Sequence, residues 1–310
     1  MGVEGGLRHN SESPPARKDG GSRHTHFFLL GAACMRLVDR RVLVIGASSG
    51  IGSASGLAIA EEGGRVAFAA RRTDRLEELV EQAGGGALAV ACDVRDESSC
   101  RAAVEQAISK LGGLDALVYS PGISSFVPLR EVDAPTWRAV LETNLIGATL
   151  VMRAAIDALE ASCGKAVFLS SISIDDAPPR FAQAPYVVSK IALEALARAW
   201  QGEHRQVGIT TVAMGDTLTE FGQNEDTQAL MPIVQRWAQE GYMYGRMMDV
   251  SSVAAQIVNA LASPETIRRI AITPHYPPEK DAPSASWGTS ELEETRRVQA
   301  ERAKRSSGSR

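Results

Sequence analysis

Paired cysteines, an excess of charge and membrane-length apolar runs are all missing from this chain of 310 residues. The four cysteines, Cys34, Cys92, Cys100 and Cys163, form no Cys-x-x-Cys pair and have no metal-ligand spacing with the five histidines. That excludes a local zinc module, and reduced thiols in a cytoplasmic protein are the simplest reading. Lys+Arg number 33 against Asp+Glu 37, a net charge of -4. This gives no argument for nucleic acid or an anionic membrane as a partner. No apolar run reaches the roughly 18 residues of a membrane span. Residues 27–35 are apolar but short, and the acids and bases before them argue against a signal peptide. No internal repeat is visible. What is present is an apolar share of 44%, ordinary for a globular protein that buries a core.

Residues 1–36 are rich in Gly, Ser, Pro and charge without periodicity, which predicts a disordered extension, with Met35 as an alternative start. The pattern then changes. Val42-Leu43-Val44-Ile45 reads as a parallel strand covered on both faces. Further strands are expected at 65–70, 87–91, 114–119, 166–169, 209–213 and 267–272. Helices are expected after 52, over 73–82, 96–111, 136–162, 186–205 and 250–261. This alternation predicts an α/β fold, a doubly wound Rossmann-type parallel sheet of about seven strands with helices on both faces. One domain, 37–275, holds it, with mixed helix and loop over 216–247 on the substrate side. A polar tail follows over 276–310.

Gly46-Ala47-Ser48-Ser49-Gly50-Ile51-Gly52 comes directly after the first strand and opens a helix. Glycines there let backbone approach a pyrophosphate, and the helix N-terminus presents free N–H groups to it. The spacing is neither Gly-x-Gly-x-x-Gly nor a P-loop. Arg71 and Arg72 end the second strand, where an acidic residue would hold the ribose 2′-hydroxyl of NAD and an arginine suits a 2′-phosphate. The expected cofactor is therefore NADP(H), although Arg72 could equally be a solvated surface charge. Tyr186 and Lys190 stand four apart on a predicted helix, about 5–6 Å at Cβ. An ammonium beside a phenol favours the phenolate, so Lys190 is expected to lower the Tyr186 pKa and fit it for acid–base work.

Together these residues resemble the short-chain dehydrogenase/reductase family, in its compact one-domain branch, over residues 40–273. The glycine loop matches that family's Gly-x-x-x-Gly-x-Gly, Asp93-Val94 its adenine-contacting pair, and Asn144 its active-site asparagine. Ser171 matches its strand-end serine, and Tyr186 and Lys190 its Tyr-x-x-x-Lys. The resemblance implies hydride transfer between nicotinamide and a carbonyl or secondary alcohol. Ser171 would bind the substrate oxygen, Tyr186 would move the proton, Lys190 would hold the nicotinamide ribose, and Asn144 would anchor a water. Where the family has Asn-Ala-Gly after the fourth strand, this chain has Ser120-Pro121-Gly122. Met214-Gly215 replaces its Pro-Gly, leaving Thr217 or Thr219 to reach the nicotinamide amide. Ser173 lies nearer the family's usual separation from the tyrosine and competes with Ser171, which strand register favours. Phe126, Met214, Leu218, Phe221, Trp237, Tyr242 and Met243 are candidates for an apolar substrate wall. Asp175 and Asp176 read as exposed loop charge. The family also implies a homodimer or homotetramer through the helices carrying Asn144 and Tyr186. The alternative is a dinucleotide-binding regulatory or scaffold protein with little turnover.

Overall fold

The computed structural model describes Gly2, residues 35–220 and residues 227–275. Most of the expected disordered extension, Phe221 and the polar tail from 276 lie outside the described residues. Seven strands run β1 Arg41–Ile45, β2 Arg65–Ala70, β3 Leu88–Ala91, β4 Ala116–Tyr119, β5 Lys165–Ser171, β6 Gly208–Met214 and β7 Arg269–Ile272. Every pairing is parallel, in the order β3-β2-β1-β4-β5-β6-β7. The order reverses between β1 and β4, and the crevice beyond their C-terminal ends is where such sheets bind ligands.

Helices cover both faces. Apolar residues of α1 Gly50–Glu61, α2 Thr73–Ala83 and α8 Val250–Ala262 pack on one side of the sheet. Those of α3 Glu97–Leu111, α5 Gly147–Ala161 and α6 Ala184–Glu203 pack on the other. The near-continuous apolar runs of the central strands follow from this double cover: β1 and β4 have almost no exposed side chains. A third, smaller apolar cluster forms around α7 Thr227–Gln239, where Leu230, Ile233, Val234, Trp237 and Met243 meet Phe126 and Phe181.

Two sequence expectations change. The helix expected over 136–162 is broken into α4 Ala134–Leu141, a π-turn Glu142–Ile146 and α5. Within the π-turn the Thr143 carbonyl accepts a hydrogen bond from the buried Tyr119 hydroxyl at 2.5 Å. Such turns gather at functional sites, and this one contains Asn144. By length and composition Ala134–Ala161 would also suffice to cross a membrane, a run that Thr143 and Asn144 hide from a simple apolar count. Its apolar face instead fills the core against α3. The second change is at the boundary of the extension. Arg36 already belongs to the folded body, because its guanidinium pairs with Glu62 at 2.5 Å and reaches Asn259 Oδ1 at 2.6 Å.

Candidate active site

The glycine loop turns sharply out of β1. Gly46 has φ +77 and Gly50 φ +56, conformations that strain any side-chain-bearing residue. A Cβ on Gly46 would sit 2.9 Å from Pro121, and one on Gly52 2.4 Å from the Gly46 carbonyl. Pro121 is therefore not a defect in the β4 exit; it packs into space that only glycine leaves at position 46. Ser49 precedes α1 in extended conformation, and no side-chain cap hydrogen bond closes that helix N-terminus. The first-turn N–H groups stay available to an anion.

A cleft of about 730 Å³ opens above the strand ends. Gly46, Ser48, Ser49, Gly50, Ile51, Arg71, Arg72, Asp93, Val94, Ser120, Gly122, Ser171, Tyr186, Lys190, Thr217 and Thr219 all line it, as does Ser173. Gly52 and Asn144 stand behind its wall. Gly52 supports the loop from beneath. Asn144, fully buried, clamps the chain after β4: Oδ1 accepts the Ile123 N–H at 2.8 Å, and Nδ2 donates to the Ile123 carbonyl and to Ser189 Oγ, both at 2.9 Å. One lone pair of Oδ1 is left over for a further donor.

Ser171 ends β5 and caps the turn that follows by accepting the Ser173 N–H at 3.2 Å. The two hydroxyls lie 2.9 Å apart. A side-chain hydrogen bond joins Ser171 to the Tyr186 phenol, and both serines line the cleft. Pro185 sits in the first turn of α6, so Tyr186 is delivered at a rigid helix start. Lys190, one turn on, is buried, donates to the Leu169 carbonyl at 2.8 Å and lies 5.7 Å from the Tyr186 ring centre.

The expectation that Lys190 draws Tyr186 toward neutral pH is not met. Burial pushes the phenol up to about 12, against the pull of the Ser171 hydrogen bond and the Arg180 guanidinium, while Asp216 adds to the rise. Burial also brings Lys190 down to about 8. Both groups lose water, which penalises the charged form of each. The ammonium is also directed at a backbone carbonyl rather than at the phenol. At neutral pH the tyrosine is thus a protonated donor. A stability consequence follows for Lys190, whose pKa in the fold lies below its ordinary 10.5. The stabilising effect is present above about pH 10.5 and lost as pH falls through about 8, since the unfolded chain binds the proton more readily in between. Wild type should therefore gain stability relative to Lys190→Met between pH 8 and pH 10. Urea midpoints at those two pH values check it, and a gap that moves the other way contradicts the shift.

Four functional candidates escaped the sequence reading: Arg75, Glu220, Arg180 and Gln183. Arg72 is not a free surface charge: Nη2 reaches Ser48 Oγ at 3.0 Å and Ser49 Oγ at 2.9 Å, and Nη1 reaches Glu220 at 3.1 Å. Arg75, in the first turn of α2, joins the same Glu220 at 2.6 Å. Arg180, buried in the cleft wall, holds Asp176 at 2.7 Å, Asp216 at 2.9 Å and the Tyr242 carbonyl at 3.0 Å. Asp176 is thus a partner of a buried arginine rather than exposed loop charge; Asp175 pairs with Arg269 at 2.5 Å. Gln183, also buried, lines the cleft before Tyr186. No local pattern announced Glu220 or Arg180, because their partners lie far off in the chain. Of the proposed apolar wall, Phe126, Met214, Trp237 and Met243 line the cleft, joined by Leu230 and Val234. Leu218 and Tyr242 do not, and Tyr242 packs in the cluster around α7.

The family model for short chain dehydrogenases matches residues 40–230. The chain belongs to the short-chain dehydrogenase/reductase family. It is 34% identical over 206 residues to the A-factor type gamma-butyrolactone 1'-reductase (1S-forming) of Streptomyces virginiae, across 63% of this chain and 80% of that protein. It is 34% identical over 195 residues to D-threitol dehydrogenase of Mycolicibacterium smegmatis, across 60% and 74%. Among solved structures, the alcohol dehydrogenase of the archaeon Thermococcus sibiricus complexed with 5-hydroxy-NADP aligns with a TM-score of 0.65 at 25% identity, covering 77% of this chain and 99% of that one. A short-chain type dehydrogenase/reductase from Mycobacterium marinum aligns at 0.68 with 28% identity, over 77% and 96%. As a short-chain dehydrogenase/reductase, the protein is an oxidoreductase acting on alcohol or carbonyl groups of small molecules, with a nicotinamide dinucleotide as coenzyme.

Proposed function

We propose that this short-chain dehydrogenase/reductase is an NADP(H)-dependent reductase of ketones, and oxidises secondary alcohols in reverse, with Tyr186 as the general acid and base. One observation carries the reading: Tyr186, Ser171 and Lys190 converge at one end of a cleft whose other end is the glycine loop with Arg72 upon it. The loop fits a pyrophosphate, since Cβ atoms at Gly46 and Gly52 would clash, and the open α1 N-terminus adds N–H donors. Arg71, Arg72 and Arg75 border the cleft where no carboxylate of β2 stands, which suits a 2′-phosphate.

The reduced nicotinamide supplies the hydride when bound. Ser171 donates a hydrogen bond to the substrate oxygen and holds it beside the Tyr186 hydroxyl. Tyr186, protonated at neutral pH, gives its proton to that oxygen as charge develops on it. Lys190, held on Leu169, stabilises the phenolate left behind. The apolar side of the cleft, Phe126, Leu230, Val234 and Trp237, excludes water around the reacting carbon.

The test is turnover of a carbonyl panel with NADPH and NADH. Arg72→Ala should weaken NADPH use at least tenfold in kcat/KM and leave NADH use within about threefold, given the strength of charge-assisted phosphate pairs. Equal losses with both coenzymes would end the NADP assignment. A second reading, a dinucleotide-binding regulator, draws on the departures Ser120-Pro121-Gly122 and Met214-Gly215 from the family pattern, and coenzyme binding without turnover across the panel would support it. Exposed Ile146, Val188 and Ile191 on the π-turn and α6 support a homodimer or homotetramer through those helices. The free thiols of Cys92, Cys100 and Cys163 support a cytoplasmic setting.

A further inference from the structure

The chain leaving β6 crosses the coenzyme end of the cleft as a strap. Its start is anchored: the Gly215 N–H meets the Ile272 carbonyl at 2.8 Å, the Met248 N–H meets the Asp216 carbonyl at 2.9 Å, and the Leu218 N–H meets the Met248 carbonyl at 2.9 Å. One residue on, Thr219 packs against the glycine loop, with its Cβ 3.4 Å from where a Cβ of Gly50 would be. Glu220 then places its carboxylate between two arginines of the β2–α2 corner. Oε2 takes Arg72 Nη1 at 3.1 Å, and Oε1 takes Arg75 Nη1 at 2.6 Å. Both arginines and Glu220 line the cleft, each about two-fifths exposed, so these ion pairs are reachable from it.

This geometry creates a conflict. The guanidiniums suited to a 2′-phosphate are already spent on a carboxylate from another part of the chain. Arg72 keeps Nη2 for Ser48 and Ser49, but its second arm and Arg75 are turned to Glu220. A dianionic phosphate arriving there meets a negative charge within ion-pair distance and must displace it or share its partners. A ribose 2′-hydroxyl meets no such penalty, because a carboxylate accepts a hydroxyl proton.

We propose that Glu220 is a coenzyme-discriminating residue, which competes with the 2′-phosphate for Arg72 and Arg75 and so limits the preference for NADP(H) over NAD(H). The inference rests on the NADP(H) reading above. Glu220 makes the adenosine end an adjustable site. The arginines supply attraction to the phosphate, and the strap carboxylate subtracts from it. Removing that one charge should sharpen the preference without touching the catalytic end of the cleft.

The test is binding alone, with wild type, Glu220→Gln and Arg72→Ala titrated against NADP+, NAD+, 2′,5′-ADP and 5′-AMP. The last two differ only by the phosphate at issue. Glu220→Gln keeps the shape and removes the charge. It should tighten NADP+ and 2′,5′-ADP by about fivefold, the scale of one partly exposed charge at ion-pair range, and move NAD+ and 5′-AMP by less than about twofold. If all four ligands shift together, or if 2′,5′-ADP binds no tighter, the proposal is overturned. The coenzyme reading is judged separately by Arg72→Ala. If that variant weakens 2′,5′-ADP while Glu220→Gln changes nothing, the NADP(H) reading stands and the role of Glu220 falls. If wild type does not distinguish 2′,5′-ADP from 5′-AMP and Arg72→Ala moves neither, both fall. Far-ultraviolet circular dichroism on each variant confirms that the fold is retained.

Discussion

Tyr186→Phe should lower kcat for carbonyl reduction by about a thousandfold, within the range expected when a positioned general acid is lost, and leave coenzyme affinity within about twofold. The substitution deletes one oxygen. The ring keeps its place in the first turn of α6, and Lys190 keeps its hydrogen bond to Leu169. What disappears is the proton donor beside Ser171. With its pKa pushed up to about 12, the phenol carries its proton throughout the neutral range, so its loss removes the acid and not a charge. The stability cost should be small, about 1 kcal/mol for one hydroxyl hydrogen bond. Steady-state NADPH oxidation together with thermal melts separates the two effects. Turnover that survives in a folded Tyr186→Phe protein would remove the tyrosine from the chemistry.

Arg180→Ala should be the most destabilising single change near the cleft, costing about 3–5 kcal/mol, as expected when one partner of a buried ion pair is deleted. The side chain is 3% exposed and is shared by Asp176 and Asp216, which are themselves 18% and 17% exposed. Deletion strands two carboxylates that water reaches poorly and cuts the link to the Tyr242 carbonyl. It also removes a cation within about 6 Å of the Trp237 and Tyr242 rings, loosening the apolar cluster around α7. For a domain of this size the melting temperature should fall by about 8 °C or more. Arg180→Met combined with Asp176→Asn and Asp216→Asn should recover most of the loss, because the buried charges leave together. An Arg180→Ala protein that melts with wild type would show that water already satisfies the pair.

The site divides by how far its partners lie apart in sequence. The glycine loop, the strand-end Ser171 and the Tyr186–Lys190 pair were legible because each acts over a few residues of one element. Glu220, 148 residues from Arg72, was not legible. Spacing alone left Ser171 and Ser173 both open, and the fold brings their hydroxyls within 2.9 Å of each other. The pKa expectation failed for a related reason. Proximity of Lys190 to Tyr186 is a local fact, but burial, which dominates both groups, belongs to the whole cleft.

Apolar periodicity and turn chemistry by themselves determined seven strands, their alternation with helices, the glycine loop after β1 and the helix start that carries Tyr186 and Lys190. These are short-range properties, repeated at each strand, so local pattern suffices to specify them. Tertiary structure alone decided the π-turn at Asn144, the buried Arg180 in the cleft wall, and the Glu220 carboxylate paired with Arg72 and Arg75. Each of these is an electrostatic or hydrogen-bonding match between distant segments, and such matches exist only once the sheet has brought the segments together.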